Sequence, residues 1–155
     1  MASGPDAPRT RRGSGGEEHV RSRRASRRLA LASVFEAEFG QRTADAILER
    51  HLAMEGDPET AAHARELVAG VVRYRDALDT QIETAAPQYP VVQLARMDRA
   101  LLRCALFEVL HSPATPARVA IAEWVELART YSGDPMRRLM NGVLGRLARD
   151  QSATR

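Results

Sequence analysis

The 155-residue chain has no lysine: all 23 of its basic residues are arginine. Two readings of that absence stand level, a genomic composition bias and selection for a forked guanidinium over a point charge. Cysteine occurs once, at Cys104, which excludes an internal disulfide and a cysteine-rich metal site. Its apolar helical surroundings favour a small core residue over a nucleophile. No apolar run approaches the roughly 18–20 residues that span a bilayer, and the charged leader lacks the apolar segment of a secretory signal, so the expected location is the cytoplasm. His19, His51, His63 and His111 are scattered without metal-ligand spacing, and no glycine-rich phosphate loop follows a strand. Glu36 and Glu38 read as a solvated helix face rather than an acid–base pair. No catalytic residue, cofactor or metal is expected, and the enzyme reading is set aside.

What the chain has in excess is positive charge at one end. Arg9, Arg11, Arg12, Arg21, Arg23, Arg24, Arg27 and Arg28 fall within the first 28 residues against only Asp6, Glu17 and Glu18. That segment carries +5, and since the whole chain carries +3, the remainder is at −2. Charge concentrated in this way points to a polyanion as partner. The last four of these arginines fall in the first turns of an expected helix, where cations oppose the helix dipole and bound phosphate would offset them.

Residues 1–21 hold Gly4, Pro5, Pro8, Gly13, Gly15 and Gly16 with few apolar side chains, and read as an arginine-rich arm that is disordered when free. One helical domain is expected over residues 22–150, with a flexible tail at 151–155. Helical spacing begins with Leu29, Ala30, Val34 and Phe35 and stops near Gly40. Thr43 is positioned to cap a second helix, and Asp57 with Pro58 reads as cap plus first-turn proline for the longest one, which runs to Pro87. Gly70 inside that helix predicts a close helix–helix contact. Leu94 to Leu110 forms a strongly apolar, central helix. Asp98 and Arg99 at its start have two readings, a structural ion pair and a polar binding surface. Further helices are predicted from Ala117 to Tyr131 and after Asp134–Pro135, which repeats the cap-and-proline device. Six principal helices and no strand indicate an all-α bundle.

Several blocks resemble one bacterial family. Arg118–Val119–Ala120–Ile121, Glu123, Val125–Glu126–Leu127–Ala128, Tyr131 and Asn141–Gly142–Val143–Leu144 are similar to the tail of the transcription antitermination factors of the NusB family. Asp98–Arg99–Ala100–Leu101–Leu102–Arg103 through Phe107–Glu108 matches that family's central helix. Arg27, Ala30, Val34 and Phe35, then Glu66 to Val71 and Leu78–Asp79, continue the likeness in order across about residues 24–147.

The resemblance implies an all-α, seven-helix fold made of two helical halves. It implies recognition of single-stranded boxA sequence in ribosomal RNA leaders together with ribosomal protein S10, in an antitermination complex on RNA polymerase. The RNA-binding set it implies is Arg23, Arg24 and Arg27, with Arg21 and Arg28 beside them and Arg118 extending the surface. Arg28 stands where an acidic residue is common. The S10-binding set is Phe35, Asp98 and Arg99. Phe35 lacks the tyrosine hydroxyl found elsewhere, Ala122 replaces a usual asparagine before Glu123, and Leu139 replaces a usual phenylalanine. Gly70, Glu123, Asn141 and Gly142 are expected to be structural, with Asn141 tying nearby backbone and Gly142 allowing close packing, and direct RNA reading by Asn141 as the alternative. A homodimer is left open, and neither DNA nor membrane is an expected partner. A related enzyme family places a similar domain ahead of a methyltransferase; the end at Arg155 makes a standalone factor the expectation. The competing class is a protein-interaction module whose basic arm touches RNA without selectivity.

Overall fold

The computed structural model describes residues 7–154, with side chains from Gly15 onward. The elements are α1 (Ala7–Ala37), α2 (Ala44–Leu52), α3 (Pro58–Ala85), a 3-10 turn (Val91–Gln93), α4 (Arg96–His111), α5 (Ala117–Tyr131) and α6 (Asp134–Ala153), with no strand among the described residues. The count of seven helices implied by the resemblance is corrected to six among the described residues. Nothing between Pro58 and Ala85 interrupts α3, and the segment confined by Pro87 and Pro90 has room only for the 3-10 turn.

α1 begins at Ala7, well ahead of Ser22. Pro8 falls in its first turn, where a missing N–H costs nothing, and the arginines that follow are good helix formers. Of the segment read as an arm, residues 1–6 lie outside the described residues. At the other end α6 reaches Ala153, past the boundary drawn at 150, and the Gln151 side-chain amide donates to the Leu110 carbonyl at 2.9 Å.

Local signals set most boundaries. Gly40, at φ +76°, turns the chain after α1. The Thr43 hydroxyl accepts from the Ala46 N–H to start α2, and the Asp57 carboxylate accepts from the Thr60 N–H to start α3 with Pro58 in its first turn. The last helix departs from this pattern. Asp134 is its first residue rather than its cap, Gly133 at φ +142° takes the cap position, and the Asp134 carboxylate accepts from Arg137 instead.

α4 is the axis of the fold. Every residue from Ala100 to Val109 is buried, so this helix has no solvent face along that stretch and packs against α1, α3, α5 and α6. α3 approaches it closely, as Gly70 predicted. A Cβ at Gly70 would stand 2.1 Å from the Phe107 ring, which therefore occupies the space the glycine leaves. Tyr74 and His111 extend the Phe107 ring into a stack, with the Tyr74 and His111 centroids 5.0 Å apart and their planes 4° from parallel. Cys104 lies inside this core at 0 % exposure, and burial raises its thiol pKa, as suits an inert apolar side chain.

Candidate nucleic-acid interface

Helix geometry divides the arginines of α1 into two sets. Arg21, Arg24 and Arg28, spaced i, i+3, i+7, are all exposed and share one ridge. Arg23 and Arg27, spaced i, i+4, point toward the body of the domain.

Arg27 is 3 % exposed and anchors the interior of the site. Its Nε donates to Glu108 Oε1 at 2.9 Å and its Nη2 to Glu108 Oε2 at 2.8 Å, a bidentate pair in which the carboxylate has no solvent exposure. The indole Nε1 of Trp124 on α5 donates to the same carboxylate at 2.7 Å, and His63 Nε2 on α3 lies 3.5 Å from it. Burial pushes the Glu108 carboxyl up, but the Arg27 fork, the nearby His63 ring and the hydrogen bond from Trp124 outweigh it and hold the group well below the ordinary carboxylate range. One carboxylate on α4 thus ties together α1, α3 and α5.

Arg23 donates through Nη1 to His63 Nδ1, and its Nε lies 3.7 Å from Glu59. It lines a shallow cleft with His19, Val20, Arg27, Val119, Glu123 and the Ala114–Pro116 loop. Arg24 is exposed and forks onto Glu123 of α5, with Nε at 3.1 Å from Oε2 and Nη2 at 3.2 Å from Oε1. Arg24, Arg27, Arg28 and Glu123 border a second open cleft of about 460 Å³ between α1 and α5, with Ala122 and Leu127 as apolar lining. Arg21 borders an open cleft with Glu18, Glu55 and Asp57, ahead of the start of α3. Arg118 is exposed in the first turn of α5, next to Val119 of the Arg23 cleft. The structure therefore gathers Arg23, Arg24, Arg28 and Arg118 around the α1–α5 seam, whereas the Arg27 guanidinium is turned inward and has little surface to offer a ligand.

The second expected face lies toward the other end of α1. Phe35 is half-buried and meets Phe39 edge to face, with centroids 5.4 Å apart and planes at 84°. Phe39 is 54 % exposed and the Arg96 guanidinium carbon stands 4.7 Å from its ring centroid, while nearby Val92 is 78 % exposed. Arg99 does not pair with Asp98. Adjacent helix residues point apart, and Arg99 donates instead to Glu38 at 2.7 Å and to the Leu94 carbonyl at 3.2 Å. Asp98 is half-buried and makes no ion pair among the described residues. Glu38 also accepts from Arg103 at 2.8 Å, and Arg103 forks onto Asp79. Glu38 is thus no part of a solvated face, and this corrects its pairing with Glu36, which is exposed and faces His51.

Two expected structural roles are also corrected. Asn141 and Gly142 are both exposed, because the inward stripe of α6 is Met136, Met140, Val143 and Leu144. A Cβ at Gly142 would meet nothing within 4 Å, so no packing contact uses its missing side chain, and Asn141 makes no side-chain hydrogen bond to nearby backbone among the described residues. Phe39, His63 and Trp124 were not singled out as site residues from the sequence. Phe39 had a readable signal in its i, i+4 relation to Phe35, whereas His63 and Trp124 acquire their roles only through tertiary contact.

Comparison with known proteins supplies the kinship. A family model described as the NusB family matches residues 24–149. The transcription antitermination protein NusB of Symbiobacterium thermophilum is 37% identical over 137 residues, covering 83% of this chain and 90% of that protein. Its counterpart from Chloroflexus aggregans is 43% identical over 119 residues, covering 75% and 79%. Among solved structures, that of T. maritima NusB superposes with a TM-score of 0.77 at 28% identity, over 83% of this chain and 91% of that one. A crystal structure of antitermination factors NusB and NusE in complex with dsRNA has a TM-score of 0.75, covering 84% and 98%; at 18% identity it speaks for the fold alone. The match runs from Arg24 on α1 through to the end of the α6 stripe, and the chain belongs to the NusB family.

Proposed function

We propose that this protein is a non-enzymatic transcription antitermination factor that binds boxA-type single-stranded RNA together with ribosomal protein S10, within a complex on RNA polymerase during ribosomal RNA transcription. The observation that carries the reading is the family match over residues 24–149. It is supported by relatives named as transcription antitermination proteins and by a like fold crystallised with NusE (S10) and RNA.

In this reading the ridge of Arg21, Arg24 and Arg28 engages phosphates, and Arg23 and Arg118 extend the track along the α1–α5 seam. Phosphate contacts of this kind give affinity, and unpaired bases set into the flanking clefts give selectivity. Arg27 contributes from inside, by fixing α1 against Glu108. The basic segment 1–21 adds further phosphate contacts to the domain over residues 22–150. S10 occupies the face of Phe35, Asp98 and Arg99, and in this reading it also meets Phe39 and Arg96, which pack beside Phe35. Eleven residues of helix between Arg24 and Phe35 amount to about 16 Å, so the two ligands would lie side by side along α1.

The test is equilibrium binding to a boxA-like RNA and a scrambled RNA of equal length, each with and without S10, over a salt series. Selective binding strengthened by S10 is the expected result. Equal binding to both RNAs that fades with salt would replace this reading with that of an interaction module carrying a non-specific basic arm.

A further inference from the structure

Arg24 belongs to the exposed ridge, yet its guanidinium fork is already occupied. Glu123 reaches from α5 and accepts from both Nε and Nη2, using the planar two-point geometry with which arginine also binds a phosphate. Only this ridge arginine is held by a carboxylate from another helix: Arg21 and Arg28 make no ion pair among the described side chains. Glu123 is itself fixed. It is 23 % exposed, and its Oε2 also lies 4.0 Å from Arg27 Nη1, so the buried Arg27–Glu108 pair backs it.

We infer that Glu123 is a built-in phosphate mimic that occupies Arg24 in the free protein and must be displaced by RNA, so that it keeps non-selective polyanion binding weak. The inference rests on the RNA-binding reading above. Its physical content is a competition. An RNA that gains only phosphate contacts must give up the Arg24–Glu123 pair to use this arginine, and recovers little. An RNA that also seats bases in the clefts beside Arg24 has further contacts with which to offset the loss. Glu123 therefore costs every RNA that uses Arg24 about the same free energy, which leaves the affinity ratio alone but drops the weak, phosphate-only complexes out of the concentration range in which they form.

Glu126 provides an internal control. It lines the same cleft and carries the same charge, but it pairs with Arg129 on its own helix, at 2.8 Å. The experiment measures binding of the full chain to scrambled and boxA-like single-stranded RNA over a salt series, for wild type, Glu123→Gln, Glu123→Ala, Glu126→Gln, Arg24→Gln and the Arg24→Gln/Glu123→Gln double variant, with thermal melts showing that each is folded. Glu123→Gln should bind scrambled RNA on the order of three- to fivefold more tightly, the scale of one partly exposed ion pair. Its salt slope should steepen by about 0.7, one more phosphate neutralised on a single strand. The gain should exceed that of Glu126→Gln and fall to the Glu126→Gln level when Arg24 is already glutamine. Glu123→Ala, which removes the residual amide acceptor, should match or exceed the glutamine variant. A gain that persists without Arg24, or weaker RNA binding by both Glu123 variants, would overturn the inference, the latter assigning Glu123 to orienting Arg24 for RNA. Wild-type protein that binds both RNAs equally refutes selective recognition, and the scrambled-RNA cycle still reads the competition in that case.

Discussion

Replacing Arg27 by methionine separates the role that the resemblance assigns it from the role that the structure gives it. The substitution keeps the aliphatic stem but leaves the Glu108 carboxylate at 0 % exposure with only Trp124 Nε1 and His63 nearby. Removing one partner of a buried pair costs about 3–5 kcal/mol, because the remaining charge is left uncompensated. Against a total stability of about 5–15 kcal/mol that is a large fraction. For a domain of this size each kcal/mol moves the melting midpoint by about 2–4 °C, so a fall on the order of 10 °C is expected. The chain has a single tryptophan, and that tryptophan donates to Glu108, so urea unfolding followed by its emission reports directly on this junction. The deficit should also shrink on acidification. Without Arg27, burial dominates and the Glu108 carboxyl rises above its unfolded value, so protonation relieves the folded state as pH falls. The reasoning is refuted if Arg27→Met keeps the wild-type unfolding midpoint while losing as much RNA affinity and salt slope as Arg28→Gln, since that would place the guanidinium on RNA rather than on Glu108.

In the wild type the same carboxylate has the opposite pH dependence. Glu108 is depressed on folding, so its contribution is fully present above the unfolded value, about 4.3 for glutamate, and is lost as pH falls below it; tryptophan emission during urea unfolding at pH 7 and pH 4 should show a higher midpoint at pH 7. Gly70→Ala drives a Cβ into the Phe107 ring, and overpacking of about 1–3 kcal/mol should exceed the roughly 1 kcal/mol gained in helix propensity. Its unfolding midpoint should drop and be partly restored by Phe107→Leu. Gly142→Ala, by contrast, adds a methyl group into open space on the exposed side of α6 and should raise stability by about 0.5–1 kcal/mol; a loss in chemical denaturation would show that the glycine has a packing role after all.

What could be read from the sequence was what depends on neighbours within a few residues. Thr43 and Asp57 cap the helices they precede because capping is a matter of three residues, and Gly70 announced a close contact because glycine in a helix interior needs a reason. The division of the α1 arginines into an outer ridge and an inner pair follows from a rotation of 100° per residue and was available to the same kind of argument. The pairings were not. Glu38 lies 61 residues from Arg99 and 65 from Arg103, and nothing local distinguishes it from Glu36, which faces out. Asp98 and Arg99 invited a pairing by adjacency that helix geometry forbids. Asn141–Gly142 invited a structural reading by its motif, although the apolar spacing of Met136, Met140, Val143 and Leu144 already turns both residues toward solvent.

The placement of charge on α4 bears on how two ligands on α1 would influence each other. A helix buried on every side and held only by apolar packing has its register set by side-chain fit alone. Here α4 grips α1 by charge at two separate points: Glu108 holds Arg27 ten residues before the end of α1, and Arg99 and Arg103 hold Glu38 just beyond its C-terminal end. Shifting α1 by one residue would break both grips at once and leave Glu108 buried without its partner. The two proposed binding faces therefore sit on one element of fixed register, already in place before either ligand arrives. Cooperativity between RNA and S10, as the proposed function expects it, would then come from contacts that each ligand makes with the other across their shared edge, and not from a rearrangement of this domain. On that account an S10 surface altered where it meets RNA, away from Phe35 and Phe39, should abolish the coupling in a binding cycle while leaving each separate affinity intact. Coupling that survives would instead place a second conformation within the α1–α4 pair.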